Sequence, residues 1–365
     1  MIAHHILTYA CDLSGGGVER AQLRLARSWL AEGRRVTFVV GDTDGPLAAE
    51  MPHGLEVVSL GSAAYMAQFR LPAIVREARP DVIFCAGNFY TAIAAWTKLR
   101  LGADCPPIVG KMSNAAARGD HGAILDLGHR AWLTQHGWFL DHLVAMTPAT
   151  AAEAGRLTRM HDRTSVIPNP PAPPVVDAPM PPLPDGRFVL GVGRLVPQKR
   201  WDRLIAALPA LPRDVHLAIL GEGELRATLE RQVAELGLTG RVRLLGHAAD
   251  PLPAMARASM LALPSDYEGV PGVLREALSV GTPVVTTDSS PAVAEIVGDR
   301  RLGSIVARDD ADALAAALSH WLAAPRPDPV PQPGSDSAAR YLRLFDSLIR
   351  PPVRLRARRY APAQS

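Results

Sequence analysis

The sequence predicts an α/β protein of two Rossmann-like domains, each a parallel sheet covered by helices on both faces. Three observations lead there. Short apolar runs alternate with amphipathic stretches along most of the 365 residues. The runs are apolar throughout rather than at every second residue, as in strands buried on both sides. A proline-rich stretch divides the chain near its middle, and a chain of this length suits two domains of roughly 150–200 residues better than one core.

In the first domain, residues 1–168, the strand-like runs are HHILTYA, RRVTFVVG, LEVVSL, DVIFCAG, PPIVGKM and DHLVAMT. Between the first two, VERAQLRLARSWLAEG reads as a helix: Leu23, Ala26 and Leu30 share a face, and Gly33 supplies the stop. Residues 169–185 form the connector. Nine prolines between Pro168 and Pro184 remove helix and ladder donors and leave an extended, semi-rigid link. The second domain, residues 186–324, repeats the alternation with RFVLGVGR, VHLAILGEG, RVRLLGH, SMLALPS, TPVVTTD and GSIVA. Residues 325–350 place prolines at every other position from Pro325 to Pro333. A helix follows, in which Ala339, Leu342, Leu344, Phe345 and Leu348 recur at helical spacing. Ligands of such sheets lie at the carboxyl ends of the strands, so two facing domains would hold theirs in the cleft between them.

Composition narrows the function. Hydrophobic residues make up 48% and charged residues 21%, a core-forming balance. A net charge of +3 argues against a dedicated nucleic-acid binder. The basic tail, 351–365, continues from Arg350 with Arg354, Arg356, Arg358 and Arg359 and no acid, which reads as a solvated tail or as a patch for anionic lipid head groups. Cys11, Cys85 and Cys105 fit neither a disulfide framework nor a zinc site and suit a reducing compartment. No stretch approaches ~20 uninterrupted apolar residues, and the N-terminus lacks the basic region of a signal peptide. The expected location is cytoplasmic, at most attached to a membrane face.

Three stretches carry candidate chemistry. In CDLSGGGVER, Gly15 to Gly17 precede a helix start, where backbone amides and the helix dipole meet an anion; a tight strand-to-helix turn explains the same glycines. In VLGVGRLVPQKRWDRLI, Arg194 and Lys199 follow a strand end and precede a helix, which suits a diphosphate; two solvated cations are the plainer reading. In SDYEGVPGVLREALSVGTPVV, Pro271 and Gly272 start a helix that ends at Gly281. Val273, Leu274, Ala277, Leu278 and Val280 form its apolar arc, and Glu276 stands at the border of that arc. Glu268 lies in the loop before it. The two carboxylates thus approach one ligand from different directions, with the free amides of residues 270–273 between them. That arrangement suits a polyol on a diphosphate; a boundary Glu and a loop Glu without partners would also fit.

These motifs occur in an order that resembles the family-4 retaining glycosyltransferases of GT-B fold. The resemblance is specific over residues 187–300 and looser over 1–170, where DHLVAMTPATAAE and VIPNP fit the same family. It implies an α/β GT-B fold whose C-terminal helix crosses back to the first domain. It further implies a nucleotide-diphosphate sugar as donor, a glycan or lipid-linked acceptor, and no metal or other cofactor. On this likeness Glu268 touches the donor sugar and Glu276 the ribose, while Arg194 and Lys199 neutralise the leaving diphosphate. Gly16 and Gly17 approach the donor phosphate, and Gly269, Val270, Pro271, Gly272, Val273 and His247 join the donor site. One position departs from the family. Many members carry a histidine after the strand equivalent to PPIVGKM, where this chain has Lys111, Met112, Ser113 and Asn114. Lys111, Ser113, Asn114 and His121, the nearest histidine, are therefore the candidate sugar or acceptor contacts, with His121 reading as a loop residue rather than a catalytic one.

Other readings remain open. A nucleotide-sugar epimerase of the same fold would need acids and a histidine that KMSN does not offer. A non-catalytic sugar-binding protein is a further possibility. Asp42-Thr43-Asp44 after a strand mimics a carboxylate metal site, although Asp, Thr and Gly are ordinary turn residues. Arg20, Arg24, Arg27, Arg34 and Arg35, with the basic tail, are compatible with peripheral association with an anionic membrane.

Overall fold

The computed structural model describes residues 1–14, 16–114, 123–172 and 181–349. His121, Arg350 and the basic tail lie outside the described residues, as does the middle of the proline-rich connector.

The first sheet contains β1 (His5–Ala10), β2 (Arg35–Val40), β3 (Glu56–Ser59), β4 (Val82–Cys85), β5 (Ile108–Lys111), β6 (His142–Ala145) and β7 (Thr164–Val166). The second contains β8 (Phe188–Val192), β9 (His216–Leu220), β10 (Val242–Gly246), β11 (Met260–Leu263), β12 (Val284–Thr287) and β13 (Gly303–Val306). All pairings are parallel, in the orders β3-β2-β1-β4-β5-β6-β7 and β10-β9-β8-β11-β12-β13. Every residue of β1, β4 and β5 is buried, which is why these strands read as unbroken apolar runs. β7 was not expected from the sequence: with three half-buried residues, Thr-Ser-Val, it offers no apolar run to detect.

The helices of the first domain are α1 (Gly17–Ala31), α2 (Leu71–Ala78), α3 (Thr91–Leu101), α4 (Ala123–Thr134), α5 (His136–Phe139) and α6 (Pro148–Thr158). Those of the second are α7 (Trp201–Ala207), α8 (Arg226–Glu235), α9 (Leu252–Arg257), α10 (Gly272–Ser279), α11 (Pro291–Ile296) and α12 (Ala311–Ala323), and α13 (Ser337–Leu348) closes the described chain. In each sheet the strand order reverses beside the first strand, between β1 and β4 and between β8 and β11. Loops leaving the two sides of such a point diverge and open a crevice at the strands' carboxyl ends.

Although α13 follows the second domain in sequence, it packs on the first. Tyr341, Leu342 and Phe345 join Ile6, Trp29, Val82 and Phe84 in one buried cluster. Trp29 meets Phe345 edge-on at 5.3 Å between ring centres, and Phe84 meets Tyr341 at 5.1 Å. Asp346 accepts from Arg34 at 3.0 Å and from the Ala3 amide at 2.7 Å. The expected apolar face needs one correction: Ala339 is exposed, and Tyr341, an aromatic one turn from Phe345, takes its place in the core. Where the chain crosses between domains, the two passages are fastened together. Ser337 Oγ donates to the Pro168 carbonyl at 2.7 Å, and Gly334, at φ +98, lies against the Asn169 carbonyl where a Cβ would collide.

The arginines considered for a membrane surface are largely engaged within the fold. Arg20 pairs with Glu50, Arg34 with Asp346 and Arg35 with Glu56, and Arg27 donates to the Glu50 carbonyl. No helix among the described residues is long and apolar enough to cross a membrane.

Truncating Phe345 to Ala empties the centre of the aromatic cluster. The expected loss is about 3–5 kcal/mol of stability, read as a lower urea midpoint. An unchanged midpoint would show that α13 docks without contributing to the first domain's core.

Candidate active site in the cleft

The second domain's half of the site is made by the loops after β8, β11 and β12. After β8, residues Pro197–Lys199 form one 3-10 turn, and Arg200 follows in the left-handed region at φ 50. That conformation is unfavourable for a side-chain-bearing residue. Here the Arg200 guanidinium is held by Asp202 at 2.9 Å and by Asp266 at 3.3 Å. The turn delivers Lys199 to Glu268: Nζ donates to Oε1 at 2.5 Å, and Ser265 Oγ donates to the same oxygen at 2.7 Å. Backbone bonds fix the loops around this pair. The Glu268 amide donates to the Ser289 carbonyl and the Asp266 amide to the Gln198 carbonyl, both at 2.9 Å, while Gln198 Nε2 reaches the Tyr267 carbonyl at 2.7 Å. Glu268 is only 6% exposed. A buried carboxylate of this kind is tolerable because it is paired and hydrogen-bonded.

Arg194, in the same β8 loop, is exposed and has no carboxylate within 4.0 Å among the described residues. Its carbonyl accepts from Trp201 Nε1 at 2.9 Å, which ties the loop to α7. Of the loop's cations, Lys199 is thus spent on Glu268 and Arg200 on Asp202 and Asp266, while Arg194 has no ion pair among the described residues.

α10 begins at Gly272, directly after Pro271, and buries Leu274, Ala277 and Leu278, with Val273 and Val280 half-buried beside them. The amides of Gly269, Val270, Gly272 and Val273 donate no hydrogen bond among the described residues. Glu276 is half-buried at the border of the apolar face, and its carboxylate makes no hydrogen bond among the described residues. Burial raises its pKa; Arg24 and Arg20 of the first domain pull it back, and Asp250 adds to the rise.

The first domain faces these loops. Gly16 caps the start of α1 in an extended conformation, and around exposed Gly17 a Cβ would meet no atom within 4 Å. After β5, Ser113 Oγ and the Asn114 amide both donate to Asn88 Oδ1, at 3.3 and 3.1 Å. The loop so held touches the opposite wall: a Cβ on Gly269 would stand 2.8 Å from Asn114 Cα. Glycine is therefore required beside Glu268, because the two domains approach each other there.

One expected residue, Lys111, lies elsewhere. Lys111 ends β5 with its side chain 2% exposed, and Nζ donates to Asn169 Oδ1 at 2.5 Å. It ties the sheet to the start of the connector instead of lining the cleft. Burial pushes its pKa down to about 8, with Glu19 opposing the shift. His247 is exposed after the edge strand β10, and no hydrogen bond or ion pair joins it to Lys199, Glu268 or Glu276. Asp42 Oδ1 accepts from the Asp44 amide at 3.0 Å, an ordinary turn bond. The structure adds Ser265, Asn88 and Asn169 to the residues that matter. Asn88 follows a strand's carboxyl end and Ser265 precedes Glu268 by three, but polar residues at such turns are too common to single out.

Two facing Rossmann-like domains, with the last helix returned to the first, define a GT-B fold. Solved structures share it: HepE of Anabaena in complex with UDP-glucose has a TM-score of 0.66 at 18% identity over 94% of this chain and 98% of that one. The sucrose-phosphate synthase from Thermosynechococcus elongatus has 0.71 at 19% over 95% of each. In sequence, residues 180–330 match the family described as glycosyl transferases group 1, and residues 15–170 match glycosyltransferase family 4. The chain belongs to the group 1 glycosyltransferases.

Among curated relatives, the GDP-mannose-dependent alpha-(1-6)-phosphatidylinositol monomannoside mannosyltransferase of Mycolicibacterium smegmatis is 40% identical over 156 residues, 40% of this chain and 41% of that one. The N-acetylgalactosamine-N,N'-diacetylbacillosaminyl-diphospho-undecaprenol 4-alpha-N-acetylgalactosaminyltransferase of Campylobacter jejuni is 37% identical over 136 residues, 37% of each. These matches span about two fifths of the relatives' length.

The Lys111 position makes a pH prediction. Its native pKa of about 8 lies below the ordinary 10.5, so between those values the unfolded chain binds more protons and stability rises with pH. The burial penalty is full below pH 8 and is relieved above it. Urea unfolding at pH 7.5 and 9.5 should show wild type gaining stability relative to Lys111→Met; a parallel pair of curves would refute the shifted lysine.

Proposed function

We propose that the cleft transfers a sugar, with retention at the anomeric carbon, from a nucleotide-diphosphate sugar to an acceptor hydroxyl, without a metal ion. The observation that carries this is the pairing of Lys199 with Glu268 beside free Arg194 and the unoccupied amides at the start of α10. Cations and amides suit the diphosphate, and a carboxylate held in one orientation suits sugar hydroxyls.

In this reading the bond between the anomeric carbon and the phosphate oxygen breaks, and the diphosphate departs with the electron pair. Arg194, Lys199 and the amides near Gly272 stabilise its growing charge. Glu268, oriented by Ser265 and Lys199, holds the sugar as positive charge develops on it. The acceptor oxygen attacks on the face the phosphate leaves, and its proton passes to the departing phosphate. Glu276 takes the ribose hydroxyls, and Gly16 and Gly17 admit the phosphates close to the backbone of α1. Ser113 and Asn114, beside Gly269, contact the sugar or the acceptor. Approach of the two domains excludes water, the competing acceptor.

The acceptor is proposed to be a lipid-linked glycan, in polysaccharide or glycolipid assembly at a membrane face. Relatives whose names specify phosphatidylinositol or diphospho-undecaprenol acceptors support that choice.

Lys199→Ala and Glu268→Gln should each lower kcat by about 10²–10³, the range for removal of one preorganised stabilising group. Glu276→Ala should act mainly on donor KM. Unchanged turnover in both Lys199 and Glu268 variants would sink the site. A chelator should leave turnover unaltered; loss that returns with a divalent ion would overturn the metal-free mechanism.

A further inference from the structure

Arg20, Arg24 and Arg27 stand at positions i, i+4 and i+7 of α1 and so share one face of that helix. The outer two have partners: Arg20 Nε meets Glu50 Oε1 at 3.0 Å, and Arg27 donates to the Glu50 carbonyl at 2.9 Å. Arg24, between them, is half-buried, yet its guanidinium has no hydrogen bond and no carboxylate within 4.0 Å among the described residues. The acid that acts on it most strongly is Glu276, across the cleft on α10, itself half-buried and without a side-chain hydrogen bond among the described residues; Glu50 acts on it more weakly.

Two opposite charges, one from each domain, are thus partly withdrawn from water and act on each other without forming an ion pair. Removing an unpaired charge from water is unfavourable, and Arg20 and Arg27 add like-charge repulsion. A bound group presenting an anion to Arg24 and hydroxyls to Glu276 would satisfy both sides at once. Side chains on a helix lean toward its N-terminus, which carries Arg24 back toward the Gly16–Gly17 end of α1.

We infer that Arg24 is a donor-binding residue supplied by the first domain, its guanidinium receiving the phosphate next to the ribose that Glu276 holds. This rests on the donor proposed above. The guanidinium fork matches two phosphate oxygens, which a lysine does not reproduce. Binding through Arg24 and Glu276 together would bridge the cleft, so donor binding would also draw the domains together. The phosphate of a lipid-linked acceptor is the other source of the same chemistry, and the experiment separates the two.

Calorimetry on the full chain with UDP, GDP, ADP and dTDP, and with the corresponding nucleosides, tests this. Arg24→Ala should weaken the preferred diphosphate about tenfold or more, the loss of one charge-assisted contact, and leave nucleoside affinity unaltered. Arg24→Lys should recover part of the loss, and Arg27→Ala should stay within about twofold of wild type. Thermal melting confirms that each variant is folded; if Arg24→Ala melts early, the comparison is made with Arg24→Gln. Unchanged diphosphate affinity in the folded variant overturns the assignment, as does an effect confined to acceptor KM. Wild type binding none of the four diphosphates would instead overturn the donor reading, and Arg24's role with it.

Discussion

Parallel strands all end on the same edge of a sheet, and this constraint organises everything that matters in the molecule. Each strand must be followed by a crossover, and where the strand order reverses, neighbouring loops part and leave a crevice. That point lies between β8 and β11 in the second domain and between β1 and β4 in the first. The loops leaving those strands carry Lys199, Glu268, Gly16 and Asn88. A site assembled from residues 16 to 276 is therefore a direct consequence of strand order.

Facing crevices make a site only if the domains stay opposed, and three devices hold them. α13 returns to the first domain through an aromatic cluster rather than a single ion pair. Ser337 fastens the second chain crossing to the first at Pro168. Glu295 of α11 accepts from the Ala149 amide at the start of α6, at 2.5 Å, so a carboxylate of one domain meets the positive end of a helix in the other. The buried Lys111–Asn169 bond extends this system to the end of β5. The charge there is costly, and its position at the connector gives that cost a structural role.

Electrostatics in the cleft are arranged in two different ways. Lys199 and Glu268 are in contact, so each orients the other and neither stands as an uncompensated charge. Arg24 and Glu276 act on each other across the cleft without forming an ion pair, so part of their desolvation cost stays uncompensated. On the proposed reading, the first pair orients the reacting groups in advance and the second meets the donor. A glycine at 269 lets the walls meet beside the first pair.

The sequence by itself determined the two parallel sheets, because strands buried on both faces must be apolar at every position. It also determined the start of α10, since Pro271 and Gly272 break what precedes them, and the border position of Glu276 on that helix. Twelve of the strands were legible as apolar runs, although edge strands such as β3 are not buried on both faces; β7 was not, because three half-buried residues carry no periodicity. Pairing was decided only in three dimensions. Nothing in the spacing of 69 residues between Lys199 and Glu268 says that they touch, or that Lys111 turns away from the cleft to meet Asn169. Tyr341 replaces Ala339 in the helix face for the same reason: which side of a helix is buried depends on the surface it meets. Arg24 shows this most sharply. In sequence it is one of several arginines on an amphipathic helix, and only the fold, which gives Glu50 to Arg20 and Arg27, leaves it without an ion pair among the described residues, with Glu276 its strongest acidic neighbour and Glu50 a weaker one.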